Sequence, residues 1–202
     1  MSVPIEGFEG FGRKTEVAGT AIVQGIPGRK GKYTYLNSFG YTDAATQHTL
    51  TMMISKGRTT LTTAIAASGT AVVATADPGP TGNAIATGDY IAIKLSDGVS
   101  WHFSTVTVVT STTYTLATAL PSDKTASVGA PLAFFGVVGD AAHDDKDYVS
   151  NSNSSRKDFP PVDTQGMLCK STRLDDPIII YSNNITNAGT LEYATAVYSR
   201  VG

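Results

Sequence analysis

The sequence predicts an all-β protein made of small antiparallel β-barrel or sandwich modules, and three features carry that expectation. Along residues 88–135 two sets of side chains alternate: Tyr90, Ala92 and Lys94 oppose Ile91, Ile93 and Leu95. Such period-2 patterning marks a strand. Turn chemistry cuts the runs, as at Ser96-Asp97-Gly98, where Asp caps its own backbone and Gly accepts positive φ without steric cost. Composition is the third feature. Only 16% of the 202 residues are charged, against roughly 25% in an ordinary soluble domain. Thr, Ser, Ala and Gly fill the gap, and Thr favours strands through its β-branch.

Each element follows from the same reading. Residues 1–16 form an extended N-terminal arm, because Gly7, Gly10 and Gly12 interrupt any helix. Residues 20–24, 32–41 and 48–55 are strand candidates, with Gly25-Ile26-Pro27-Gly28 as punctuation between the first two. Ser55-Lys56-Gly57-Arg58 reads as a hairpin turn into a strand over 59–62, and the Ala-rich 63–68 as one helical turn and a linker. A second module opens with a strand at 70–75 and the turn Asp77-Pro78-Gly79-Pro80. It continues with strands over 89–95, 101–109, 113–117 and 132–135. Trp101, with Phe103 on its face of the strand, reads as a core residue.

Residues 139–164, polar and carrying Pro160-Pro161, read as loop. Strands return over 166–170, 177–182 and 190–199, and Ile178-Ile179-Ile180, apolar on both faces, marks a central strand. Small residues flank the central module at both ends. The predicted organisation is therefore a discontinuous β domain, 17–68 with 139–202, carrying an inserted small β-barrel at 69–138. Two consecutive β domains are the alternative.

Function classes narrow next. At a net charge of −2 and a pI near 5.9 the chain has no global basic field to hold nucleic acid through its phosphates, so no specific nucleic-acid partner is expected. Cys169 is the sole cysteine; no intrachain disulfide is possible, and its strand setting predicts a buried structural thiol. No run of about 18 consecutive apolar residues predicts a membrane span. The N-terminus lacks the charged-then-apolar order of a signal peptide, so synthesis without export by a cleaved signal is expected.

Candidate sites are few. His143, Asp144, Asp145 and Asp147 place an imidazole and three carboxylates in five residues, and oxygen ligands in a loop suit Ca²⁺. The spacing of a calcium-binding helix–loop–helix is absent, and an acidic, solvated loop is the reading adopted: no metal and no cofactor. Asp175-Asp176 reads as a turn before Pro177 rather than a catalytic pair, since adjacent strand residues point to opposite faces. With no constellation for acid–base or nucleophilic work, the chain is expected not to be an enzyme.

The interaction candidates are Phe8, Phe11, Arg13, Lys14, Arg29, Lys30 and Lys32. On a Gly-rich arm the two rings cannot pack on each other; buried on a neighbouring copy, each would contribute roughly 1.5–3 kcal/mol before ordering costs. Otherwise the arm folds back onto its own barrel. The cations face, in sequence, an acidic stretch with Asp140, Asp144, Asp145, Asp147, Asp158 and Asp163. Head-to-tail complementarity between copies, or docking on an acidic capsid surface, is one reading; the other is that Gly28-Arg29-Lys30-Gly31 is an exposed turn with solvated charges.

Gly88-Asp89, Ser96-Asp97-Gly98, Trp101-His102, Thr113-Tyr114-Thr115-Leu116, Ala119-Leu120-Pro121-Ser122 and Gly129-Ala130-Pro131 together resemble the small β modules of tailed-bacteriophage virion proteins. In its Gly/Thr/Ala bias and aromatic-bearing ends the chain is similar to head decoration (cement) proteins. The resemblance lies in strand-and-turn grammar over residues 69–135. It implies a non-enzymatic structural virion component, assembled in the host cytoplasm, with the major capsid protein and neighbouring copies of itself as partners in a homo-oligomeric shell. Tail, fibre and head–tail joining proteins share the grammar, which leaves host-receptor or glycan binding as the alternative.

Overall fold

The computed structural model describes residues 7–12, 14–15, 22–43, 49–79, 84–136, 146–149, 156–159, 169–182 and 189–200. Over these the protein is all-β, with strands in antiparallel pairs and no helix. The strands are β1 (Gly7–Phe11), β2 (Lys14–Thr15), β3 (Ile22–Ile26), β4 (Tyr33–Asp43) and β5 (Thr49–Ile54). Next come β6 (Gly57–Thr60), β7 (Ala71–Val73), β8 (Tyr90–Lys94), β9 (Trp101–Thr110), β10 (Thr113–Leu116) and β11 (Pro131–Gly136). Last are β12 (Lys146–Val149), β13 (Arg156–Phe159), β14 (Cys169–Lys170), β15 (Ile178–Ser182) and β16 (Gly189–Ser199). The chain divides into two compact units, one of Met1–Ile54 with Asp145–Gly202 and one of Ser55–Asp144.

The flanking unit has two sheets. One runs β1-β16-β4-β13, with β14 also paired to β4 and β2 to β16; the other runs β12-β5-β15-β3. A single apolar cluster draws on both: Ile26, Met52, Ile178 and Ile180 from the second, and Leu36, Phe39, Tyr41, Leu191, Ala194 and Ala196 from the first. This is the inner layer of a sandwich. As the triple isoleucine predicts, β15 is internal, paired to β5 on one side and β3 on the other. Cys169 lies buried in the same core.

Two bulges break the strict alternation of faces along β4 and β16. Ser38 pairs Thr195 while Leu36 pairs Ala196, so Asn37 is an extra residue in β4. Side-chain parity flips there: Tyr33 and Tyr35 leave the core for a small cluster with Val197, whereas Phe39 and Tyr41 stay inside. Glu192 is extra in β16, which places Leu191 in one core with Ala194, Ala196 and Tyr198, although simple alternation would set an odd-numbered residue opposite even-numbered ones. Other expectations also change. Lys146–Val149 and Arg156–Phe159, read as polar loop, are edge strands on β5 and β4; at an edge, one exposed side suits polar residues. Met52 and Tyr41 present ladders that composition alone does not reveal.

In the central unit the sheet order is β6-β11-β8-β9-β10-β7. Its two ends meet. Leu61 bridges Ala74, the Thr62 amide donates to Val73 O at 2.8 Å, and the Thr75 amide donates to Thr60 O at 2.9 Å. The sheet thus curls into a barrel whose outer strands are joined by this short seam, which shortens the free edge. Inside sit Leu61, Val72, Ile91, Ile93, Val106, Leu116, Leu132 and Phe134. Gly57–Thr60 pairs with β11 in this barrel; it is not a hairpin partner of β5, whose neighbours are β12 and β15. Residues 63–68 form no helical turn: Ile65 bridges Ala126 across the barrel wall.

The Ser96-Asp97-Gly98 turn forms as its chemistry requires. Asp97 Oδ1 accepts hydrogen bonds from the amides of Val99 (2.9 Å) and Ser100 (2.8 Å), Gly98 has a φ of 72°, and Lys124 Nζ lies 3.2 Å from Asp97 Oδ2. The Ser100 side chain and these amides hold the Asp97 carboxyl below the usual carboxylate range. Asp97→Ala is expected to cost about 1 kcal/mol. Because the folded-state pKa is depressed, that contribution exists above about pH 4 and fades as pH falls. Denaturant midpoints of both proteins at pH 7 and pH 3 check this: the gap is narrower at pH 3.

The Tyr114 hydroxyl is buried in the barrel core without a hydrogen-bond partner among the described residues. Burial first, and the charge of Asp77 second, push its pKa up to about 12. A raised pKa favours the fold while the phenol is neutral, so this share of stability is complete below about pH 10 and is lost as pH climbs towards 12. Tyr114→Phe, which removes the orphan hydroxyl and keeps the ring, is expected to stabilise by about 1 kcal/mol. The variant also loses less stability than wild type between pH 9 and 11. Equal or lower stability of the variant would show that the hydroxyl is satisfied.

Candidate interaction site

The predicted interaction residues converge on one end of the flanking sandwich, at the β3–β4 turn, only in part. Arg13 lies outside the described residues. Lys14 is in β2, its backbone opposite Leu191. Phe8 and Phe11 are in β1, paired register for register with β16 of the same chain, Phe8 to Val197 and Phe11 to Ala194. This differs from an arm laid across a neighbour. The physical reason is that β16 offers a full ladder of backbone partners, and Phe11 packs against the chain's own core. The docking role therefore does not rest on Phe11. Of the metal candidates, His143, Asp144 and Asp145 lie outside the described residues, and Asp147 pairs with Thr51 in β12. No group of three potential ligands occurs among the described residues.

Arg29, Lys30 and Lys32 are described in full, and with them the site can be built. The turn between β3 and β4 is laced to residues 171–176. The Asp175 amide donates to Lys32 O at 2.9 Å, and the Gly31 amide donates to Asp175 Oδ1. The Thr34 amide donates to Ser171 Oγ at 3.0 Å, and Thr34 Oγ1 donates to Asp176 O at 2.8 Å. Asp175 takes a φ of 68°, a conformation that costs a non-glycine residue about 1 kcal/mol and is retained here by those bonds. The turn is thus a rigid platform.

Beside it is a cleft of about 400 Å³ lined by Gly7, Glu9, Arg29, Lys32 and Tyr198. Arg29 Nη2 donates to Glu9 Oε2 at 2.6 Å. Tyr198 Oη donates to the same oxygen at 2.9 Å, with Pro27 O at 3.2 Å. The guanidinium carbon lies 5.6 Å from the Tyr198 ring centre, within cation–π range. Glu9's hydrogen bond, followed by its charge, raises the Arg29 pKa further. Burial, followed by Glu9's charge, pushes the Tyr198 phenol well above its ordinary value. The phenol therefore stays a neutral donor, and the group acts as a clasp that holds β1 by Glu9.

Residues far away in sequence join this end. Lys170 pairs Tyr35 in the β14–β4 ladder, and its Nζ lies 4.3 Å from the Tyr33 ring centre and 5.9 Å from that of Tyr35. Arg173 belongs to the segment laced to the turn. Arg200 follows Ser199, which pairs Tyr33 at the start of β4. Sequence reasoning missed all three, because only the ladders bring residues 170–200 to residues 29–35.

No protein-family model matches the chain, and no curated protein does. Among solved structures it is similar to VP17, a capsid protein of bacteriophage P23-77, at 11% identity and a TM-score of 0.20, over 96% of this chain and 99% of that chain. Overlap that slight defines no common fold.

Proposed function

We propose that this chain is a non-enzymatic structural protein of a phage virion that decorates and stabilises the capsid shell through many-copy protein–protein contacts. The observation that carries the reading is the gathering of cations on a rigid turn at one end of a sandwich, in a chain otherwise poor in charge. Interfaces draw orientation and encounter rate from such complementary charge. The barrel-like central unit, whose outer strands are joined by the Leu61–Ala74 bridge, supports the same role: a module that exposes little free strand edge there for polymerisation. Repetition over a shell turns modest single contacts into firm attachment.

Cosedimentation of the purified protein with capsids lacking it, with stoichiometry by mass, tests the reading. Saturation at hundreds of copies per particle is expected. Saturation at about a dozen or fewer moves the protein to a vertex, neck or tail. No binding, with retention on host polysaccharide instead, replaces decoration by receptor recognition.

A further inference from the structure

We infer that the outer face of β9, β10 and β7 in the central unit is a docking surface for the same face of a second copy of this chain. This rests on the many-copy reading for its setting and names the contact between copies within it. Residues 59–76 and 103–122 contain no Asp, Glu, Lys, Arg or His, where the chain-wide 16% of charged residues would place about six. The two runs form one surface, because β7 pairs β10, β10 pairs β9, and the Leu116 amide donates to Thr70 O at 2.9 Å. Val72, Val106, Tyr114 and Leu116 fill the barrel, so alternation turns their strand neighbours outward. The register sets Ala71, Thr115 and Val108 in one outward row, and Val73, Thr113 and Thr110 in the next. Val108 is 52% exposed, and Ala71, Thr110 and Thr113 are exposed with it.

Threonines make such a face look hydrophilic, but several of its hydroxyls are already engaged within the barrel. Thr62 Oγ1 donates to Val73 O at 3.2 Å, Thr75 Oγ1 to Thr60 O at 3.1 Å, and Thr107 Oγ1 to Thr115 O at 3.2 Å. Thr60 Oγ1 lies 3.0 Å from Thr75 Oγ1. These residues therefore offer methyl groups outward beside Val108 and Ala71, and covering them strips few hydrogen bonds from water. Interface cores share this depletion of charge, and small side chains have little rotamer freedom to lose on contact. The absence of charge of either sign selects the occupant. A second copy presents the identical surface with no like-charge repulsion and no complementary charge to supply, so the contact is isologous and closes as a dimer about a two-fold axis. A strongly charged partner would find nothing here to pair with. Two sheet faces of small side chains stack at the ordinary spacing of about 10 Å.

Sedimentation velocity of the full chain at about 0.05 M and about 0.5 M NaCl tests this. A dimer is expected, and its dissociation constant changes less than about twofold with salt because no charges meet across it. Val108→Lys/Thr113→Lys sets ammonium groups against their own images and weakens dimerisation about tenfold or more. Both positions are exposed, so the double variant keeps the wild-type melting temperature. Val99→Lys, in the turn between β8 and β9, is the control and dimerises as the wild type does. A wild type that is monomeric at about 100 μM, dissociation by salt, or an unaffected double variant overturns the inference. A monomer whose double variant no longer cosediments with capsids gives the face to the shell protein, and one whose double variant loses retention on polysaccharide gives it to a glycan; either result removes the second-copy contact. A wild-type dimer that the double variant disrupts, but that does not cosediment with capsids, keeps this contact and removes decoration.

Discussion

Gly57→Ala is expected to unfold the central barrel at temperatures where the wild type is intact. A Cβ at this position would lie 1.5 Å from Pro78 O and 2.7 Å from Pro78 C, both backbone atoms. Neither side can give way cheaply. Gly57 sits in the β6–β11 ladder opposite Phe134, and the neighbouring Lys56 amide donates to Phe134 O at 2.7 Å. Pro78 is fixed by Asp77, whose carboxylate accepts from the amides of Gly79 (2.8 Å) and Ile85 (3.1 Å). Overpacking of this kind costs about 3 kcal/mol or more, or roughly 10–20 °C in melting temperature for a unit this size. Thermal unfolding followed by circular dichroism reads it, and limited proteolysis shows new cuts within residues 55–144. Gly10→Ala is the control: its Cβ meets nothing within 4 Å, and a shift beyond about 0.5 kcal/mol is not expected there. A Gly57→Ala protein melting within about 2 °C of wild type would show that the Pro78 turn yields.

Gly28→Ala is expected to do comparable damage to the flanking unit. Its Cβ would fall 1.8 Å from Asp175 O, with Asp175 C at 2.5 Å and Asp176 C at 2.8 Å. Relief requires moving Asp175 out of its left-handed conformation, which breaks the bonds to Gly31 and Lys32, or displacing Asp176 from Thr34 Oγ1. The expected loss is again about 3 kcal/mol or more, with new proteolytic cuts outside residues 55–144. Because the same backbone carries Arg29, Lys30 and Lys32, cosedimentation with capsids is expected to fall along with stability. Intact cosedimentation of a destabilised variant would show that the laced turn is not what presents those cations.

The sequence made the strands legible where side chains alternate without interruption. In the barrel, Ile91 and Ile93 oppose Ala92, and the strand over residues 90–94 is where the pattern places it. It also made legible the Asp97–Gly98 turn, whose bonds are local, and the isoleucine run at the heart of the sandwich. It does not disclose the faces of Tyr35 and Leu191, because one inserted residue flips every side chain beyond it and a bulge has no composition of its own. It read Arg156–Phe159 as loop, because an edge strand needs no apolar face to be held by its neighbour's backbone.

The candidate site divides in the same way. Arg29, Lys30 and Lys32 stand together in sequence and remain together in space. Lys170, Arg173 and Arg200 join them only through the pairing of β14 and β16 with β4, and Glu9 reaches Arg29 only because β1 lies on β16. What the sequence by itself determined is the all-β class, the local turns and the uneven distribution of charge, since each depends on residues a few positions apart. Which cations share a surface, where the barrel closes and which way the N-terminal strand turns were decided by tertiary structure. Those outcomes depend on register between strands distant in the chain, and register is set by the whole ladder rather than by any one segment.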